Sequence, residues 1–303
     1  MRNRFFGMAA SAAILAVAAM TSAPPVRAQG KSAASTKYAP PRTADGHPDL
    51  QGMWARVGVA IAEANGPNSP LGDFGSTGQP YPTVFNTGVN TGQNRNVFTG
   101  RPAGVVDPEN RILPWRPDAD AARREFITHM IPPAGLKYLE AYARCVLPGP
   151  LEADNRGPYQ ILQRPDSFVL LYEYNHVTRV IYTDGRPHVG TNIRLFMGDS
   201  VGRWEGDTLV VDTTNYNDKT SLGRTVPYHT DALHTTERYT RVDPNLIDYQ
   251  ITIEDSGLFT RPIKVAGAFV AAVAGTELME FACAEGSQTL PNVFGFEFAP
   301  KRQ

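Results

Sequence analysis

Hydrophobic and polar residues alternate along most of the second half of the chain. The clearest case runs from Thr208 to Thr214 (TLVVDTT), a β-branched segment that follows the turn-rich GRWEGD sequence. This rhythm is typical of a strand in an antiparallel sheet. Strands are predicted at residues 159–163, 168–174, 177–183, 208–214, 234–242, 246–254, 261–273 and 278–284. Short turn signals separate them, so the sequence predicts an antiparallel meander that closes as a barrel or packs as a sandwich.

The first half of the chain has a different composition. Residues 29–46 form a polar, flexible N-terminal arm, and a first strand is expected around Gly52 to Trp54. Residues 58–114 are rich in Gly, Asn, Pro and Thr and predict a long surface loop. A short helical region is expected at 117–144, with Asp118 as its cap and a break at Pro132. We therefore expect one barrel domain at 47–303, with a loop and helix insertion at about 58–144.

The N-terminus predicts export. Arg2 and Arg4 precede an apolar segment at residues 5–20, and small residues lead to Ala28, as in a secretory signal peptide. We expect cleavage near Ala28, a periplasmic or secreted product and no stable membrane insertion, because the apolar segment is short; a membrane anchor is the minor alternative. Loss of residues 1–28 removes Arg27 as well, so the formal charge falls by three, from −1 to −4. Without a basic stripe, no nucleic-acid partner is expected.

Cysteine usage fits an oxidising compartment. The chain contains two cysteines, Cys145 and Cys283. An even pair in an exported protein is more often a disulfide than a site, and we predict this bridge. The alternative is a nucleophilic cysteine, which no surrounding motif favours.

The chain also resembles known proteins. A GxW motif at Gly52 to Trp54 and a later GDTLVV strand resemble those of a calycin, or lipocalin-like, barrel. The motifs PRTADGHPDLQGMW, MGDSVGRWEGDTLVVDTTNYND and FACAEG resemble a largely uncharacterised family of exported bacterial proteins, from about Pro41 to Gly286. The resemblance implies an all-β, antiparallel lipocalin-like barrel and export, and it supplies no catalytic residues.

Candidate chemistry begins at residues 172–176 (YEYNH). If residues 168–182 form one strand, its even positions place Tyr172, Tyr174 and His176 on one face, with Arg179 on the other. Tyrosines and a histidine in a cavity suit acid/base work on a phenolic or carbonyl ligand. The alternative is a turn at residues 175–176, which breaks this parity.

A second candidate group lies in the irregular stretch RPHVGTNIRLFMGDS. Here Arg194 could hold a substrate oxygen, with His188 as proton carrier and Asp199 orienting it. The alternative is structural: Arg186 and Arg194 pair with Asp184 and Asp199 to fix the loop.

Further polar residues lie on the later strands. His234 and Glu237 are three positions apart in a strand, so they face opposite sides, and one of them faces the interior. Both are candidate ligand contacts, together with Asn215 at the end of the 208–214 strand. An inward histidine is, alternatively, an ordinary core residue. The sequence has no metal-binding or nucleotide-binding motif, so neither a metal nor a cofactor is expected.

Two functional hypotheses follow. The first is a cofactor-independent lyase, isomerase or hydrolase acting on a small apolar, aromatic or terpenoid substrate in the barrel cavity, with His176 or His188 as base. The second is a binding protein that carries a similar hydrophobic ligand unchanged. A structural envelope module, with a barrel filled by its own side chains, is a third alternative.

Overall fold

The computed structural model describes residues 38–57, 61, 89–90, 95–96, 103–130, 133–139, 144–147, 149, 151, 157–223, 226–281 and 283. The predicted signal peptide, residues 29–37 of the arm and most of the 58–114 loop lie outside these residues. Among the residues that the structure describes, no helix combines the length and the apolar character needed to cross a membrane.

The described chain forms a closed β-barrel. Its strands are β1 Gly52–Val57, β2 Val89–Asn90, β3 Arg95–Asn96, β4 Gly104–Asp107, β5 Tyr159–Arg164, β6 Ser167–Tyr172, β7 Thr178–Tyr182, β8 Asp199–Glu205, β9 Thr208–Thr214, β10 His234–Asp243, β11 Leu246–Glu254 and β12 Ile263–Ala271. The barrel sheet runs β1, then β5 through β12 in order, and β1 pairs with β12 to close it. The pairs are antiparallel except β7 with β8, which is parallel at Tyr182 and Val201. The predicted all-β, lipocalin-like barrel is confirmed.

Three described strands are not part of the closed ring. β4 pairs with β12, and β2 pairs with β3 in a separate ribbon. Helix α1 spans Pro117–Thr128. The proposed cap at Asp118 is wrong: Arg116 is the cap residue, Pro117 begins the helix and Asp118 lies in the first turn. Proline suits that first position because its missing N–H has no helical partner there.

Residues 42–47 pack against the turn between β8 and β9. The ring of His47 stacks on Trp204 with centroids 4.7 Å apart, and Arg42 forms an ion pair of 2.7 Å with Asp207. Gly206 makes this tight turn at a φ of +60°, a conformation that favours glycine. The two sequence motifs PRTADGHP and GRWEGD are therefore in direct contact.

Of the two alternatives for residues 168–182, the turn is the one observed: β6 ends at Tyr172, and a 3₁₀ turn at Tyr174–His176 precedes β7. Asn175 has a φ of +53°, which reverses the chain and breaks the expected parity. Residues 278–281 are not in a strand, whereas Asp199–Glu205, which we expected to be irregular, forms β8.

The C-terminal segment is fastened to the turn that follows β6. Cys145 and Cys283 form the predicted disulfide, with Cα atoms 5.7 Å apart. The ring of Phe281 contacts that of Tyr174 at 4.8 Å, and the Phe281 N–H donates to His176 Nε2 over 3.1 Å. His176 therefore holds this segment against the barrel.

Candidate functional site

The barrel interior contains a buried ion pair. Arg179 of β7 binds both carboxylate oxygens of Glu237 of β10, and the two side chains are 2% and 0% exposed. Arg179 also donates to Ser200 at 3.0 Å and to Thr213 at 2.9 Å. Glu237, Ser200 and Thr213 all belong to strands of the barrel wall, so the protein itself satisfies this guanidinium.

Tyrosines complete this network. The hydroxyls of Tyr239 and Tyr249 donate to Glu237 Oε1 over 2.8 and 2.9 Å. Burial opposes ionisation of Glu237, but the charge of Arg179 and these donors hold its pKa below the usual range. The rings of Tyr239 and Tyr249 also lie 5.4 and 5.1 Å from that of Phe269. The middle of the interior is thus occupied by the protein's own side chains.

A second polar group lies on the outside of the wall. In β9, Leu209, Val211 and Thr213 point inwards, as do Thr235, Glu237 and Tyr239 in β10. Because strand side chains alternate, Asp212 and His234 point outwards. Both side chains are partly exposed.

Two histidines converge on Asp212. His188 Nε2 lies 2.9 Å from Asp212 Oδ1, and His234 Nε2 lies 2.7 Å from Asp212 Oδ2. Each ring has a second carboxylate at Nδ1: Asp199 at 2.8 Å from His188, and Glu254 at 2.9 Å from His234. We call these five side chains the histidine–carboxylate row; it crosses the outer face of β8 to β11.

The row favours the protonated form of His234. The hydrogen bond to Asp212 raises the pKa of His234 against the opposing effect of burial. The hydrogen bond from His234 likewise lowers the pKa of Asp212. Geometry explains this, since an imidazole donates from both nitrogens only as an imidazolium.

A loop at residues 184–196 adjoins the row. It is exposed throughout except at His188, and it presents the apolar side chains of Val189, Ile193, Leu195 and Phe196 to solvent. Asn215 holds it by donating from Nδ2 to the carbonyls of Val189 and Gly190, both over 3.1 Å. Its apolar surface therefore lies next to ionisable groups.

Arg194 does not make the expected contact in this loop. It donates to the carbonyl of Asp231 over 2.8 Å, so the alternative pairing of Arg194 with Asp199 is wrong; Asp199 binds His188 instead. The other expected pair, between Arg186 and Asp184, is present.

The remaining predicted site residues are dispersed. Tyr172 and Tyr174 are buried, Arg179 and Glu237 belong to the interior network, and His176 is exposed at the turn after β6. Tyr174 and His176 lie in the same turn, but Tyr174 is buried and His176 is exposed. The expectation that His234 and Glu237 face opposite sides agrees with the structure.

Sequence reasoning gave Asp212 and Glu254 no catalytic role. Asp212 accepts from both histidines, and Glu254 pairs with His234 across the β10–β11 ladder. The alternation of side chains along a strand indicates that both face outwards. Their partners, however, depend on the strand register and on the path of the 184–196 loop.

Comparisons with known proteins add little. No family model and no curated protein matches the chain. Among solved structures, a mutant of the fluorescent protein UnaG is similar, with a TM-score of 0.24 and 14% identity, over 44% of this chain and 86% of that one. Within the described ranges, no group of three or more His, Cys, Asp or Glu side chains is placed to hold a metal ion.

Proposed function

We propose that this protein is an exported, cofactor-independent enzyme that moves protons on a small molecule at the histidine–carboxylate row. The proposed site lies on the outer wall and not in the barrel cavity. The observation that carries the proposal is the convergence of His188 Nε2 and His234 Nε2 on one carboxylate, with a further carboxylate behind each ring.

This arrangement suits paired acid/base chemistry. A carboxylate at Nδ1 fixes the ring orientation and stabilises the imidazolium that forms when Nε2 accepts a proton. Two such rings lie on either side of Asp212. A substrate that replaces Asp212 at one ring while that ring is neutral gives a proton to its Nε2 and takes the proton back at another position. Isomerisation and elimination are the reactions that this pair serves best.

The neighbouring loop indicates the substrate class. Val189, Ile193 and Phe196 are 39%, 45% and 37% exposed within a few residues of His188. Apolar side chains in such a position gain free energy by covering an apolar ligand. We therefore propose a small, largely apolar substrate with one polar, proton-bearing group.

The same apolar surface favours a second candidate function. A binding protein needs only this surface to hold a hydrophobic ligand and requires no proton transfer. The two functions differ in whether the ligand is recovered chemically changed.

The test uses purified protein, starting from Gln29, and an organic extract of its source cells. Compounds that disappear or form are followed by untargeted mass spectrometry, and bound compounds by native mass spectrometry. We compare the wild type with His188→Gln and His234→Gln. The control is His129→Gln, since His129 is exposed at the end of α1, where it contacts Glu125.

We expect the wild type and the control to convert one compound into another of equal mass or of mass lower by a small leaving group. Both row variants should lose at least about 100-fold in rate, the usual scale of acid/base catalysis. A ligand recovered unchanged supports the binding protein. Conversion that survives both row substitutions refutes the proposed site.

A further inference from the structure

The 184–196 loop is fastened to the barrel mainly by polar contacts. Residues 184–187 and 189–196 are exposed, and His188 alone is partly buried, with its side chain 25% exposed. The attachments are the two contacts of His188, the Asn215 amide, the Asp199 carboxylate on the Val189 N–H, Arg194 on Asp231, and two backbone hydrogen bonds that join Leu195 to Asn215 and Asn217. With so little apolar burial, the position of the loop depends on these contacts.

The contacts of the row depend on how many N–H donors each imidazole ring carries, and this number depends on whether the ring is protonated. The row contains four contacts between an imidazole nitrogen and a carboxylate oxygen. A neutral imidazole has one N–H, and an imidazolium has two. All four contacts are therefore satisfied only when both rings are protonated. When His188 is neutral, one of its nitrogens faces a carboxylate oxygen without a hydrogen between them.

The charged side chains that contact the two imidazoles of the row are carboxylates. β8 contributes Asp199, β9 contributes Asp212 and β11 contributes Glu254, so three carboxylates face two imidazoles. Among the described residues, the ion-pair partners of these five side chains all belong to the row. Arg194, the nearby cation of the loop, is directed to Asp231.

We infer that the histidine–carboxylate row is a protonation-controlled latch, which holds the 184–196 loop on the barrel wall in weak acid and releases it when the histidines are neutral. Release frees the loop beside Asp212 and lets the apolar side chains of the loop move. The latch goes beyond the proposed chemistry and does not depend on it, because it requires only the observed contacts.

The direction of the pH dependence follows from the pKa shifts. The pKa of His234 is raised, so its contribution is complete below the ordinary histidine value and is lost as the pH rises through the shifted value. The pKa of Asp212 is lowered, so its contribution is present above the ordinary aspartate value and is lost as the pH falls through the shifted one. These limits describe contacts within the barrel wall. The loop shares the lower limit, because Asp212 must be ionised to accept from His188, and the loop contacts lose one N–H donor when His188 is neutral.

Hydrogen exchange followed by mass spectrometry tests the latch without a substrate. Full-length mature protein is labelled at about pH 5.5 and about pH 8.5, on either side of the histidine range, and rates are corrected for intrinsic exchange. We expect protection of peptides covering residues 186–198 to fall at least about tenfold at the higher pH. Peptides from β6 and β12 should keep their protection.

Three variants test which side chains cause the pH-dependent change in hydrogen-exchange protection. In His188→Gln the loop should show the same protection at both pH values, because glutamine does not titrate. In Asp212→Asn, protection at the lower pH should already be reduced. His129→Gln is the matched control and should keep the wild-type change. If His188→Gln is poorly folded by circular dichroism, Asp212→Asn and the wild type decide.

Two results overturn the latch. One is equal protection of residues 186–198 in the wild type at both pH values. The other is a wild-type pH response that persists in His188→Gln or Asp212→Asn. Neither result bears on whether the row turns over a substrate, so failure of the latch and failure of the proposed enzyme remain distinguishable.

Discussion

Replacing Glu237 with leucine should strongly destabilise the barrel. The substitution leaves the Arg179 guanidinium, which is 2% exposed, without its counter-ion. It also removes the acceptor for the hydroxyls of Tyr239 and Tyr249. Removing one partner of a buried pair costs about 3 to 5 kcal/mol. With a urea m-value of about 2 to 3 kcal/mol/M, the unfolding midpoint should fall by about 1 to 2.5 M.

Urea unfolding followed by circular dichroism measures this shift. The double variant Arg179→Met/Glu237→Leu removes both charges, and Ser200 and Thr213 can still hydrogen bond to each other over 3.0 Å. Its midpoint should therefore lie above that of Glu237→Leu alone, since no uncompensated charge remains.

The control is Arg186→Met, which breaks the exposed pair between Arg186 and Asp184. Its midpoint should equal that of the wild type within error, because solvent screens such pairs. A Glu237→Leu midpoint within about 0.3 M of the wild type would refute the reasoning. So would a double variant whose midpoint is no higher than that of Glu237→Leu alone, since that result indicates that the unpaired charge of Arg179 costs nothing.

Two further predictions concern stability. Replacing Cys145 and Cys283 with serine opens a connection of 138 residues; loop-closure entropy predicts a loss of up to about 5 kcal/mol, measured as a lower melting temperature that reductant does not change further. Replacing His234 with glutamine should flatten the dependence of the unfolding free energy on pH above the ordinary histidine value, where the wild type loses stability as its raised pKa is passed. The difference should be at most about 1 kcal/mol, because solvent screens a side chain that is one-third exposed; an unchanged pH profile in this variant contradicts the assignment.

The sequence predicts strands well where alternation is strong. The predicted strands at 208–214 and 246–254 have the observed bounds of β9 and β11. β8 is not predicted because Gly202 interrupts its pattern. That glycine has a packing reason: a Cβ there would lie 2.9 Å from Ile181 Cγ2 and 3.0 Å from Thr183 Cγ2. The glycine makes this segment look like a turn in the sequence. It is present because β7 and β8 pack closely and leave room only for a small residue.

The candidate site was less predictable for a different reason. The alternation of side chains gives the outward phase of Asp212 and His234, and the nearness of His188 to Asp199 suggests their contact. The contact that joins Asp212 and His234 to His188 and Asp199 depends on the register that pairs Thr236 with Asp212. It also depends on the irregular path that returns His188 to the wall. Neither is encoded in a local pattern, because both arise from contacts between distant segments.

The barrel wall separates two kinds of polar chemistry. On the inner face, Arg179 and Glu237 satisfy each other within a packed aromatic core, where any change of protonation leaves a buried charge unpaired. On the outer face, His188 and His234 have similar carboxylate partners but remain partly exposed. Protons and small molecules reach this face without opening the core. A ligand inside the barrel would have to displace the ion pair, whereas a ligand on the wall has only to displace Asp212 from one histidine. This lower cost is the physical reason for placing the proposed function on the outer face, whereas the inner ion pair contributes to stability.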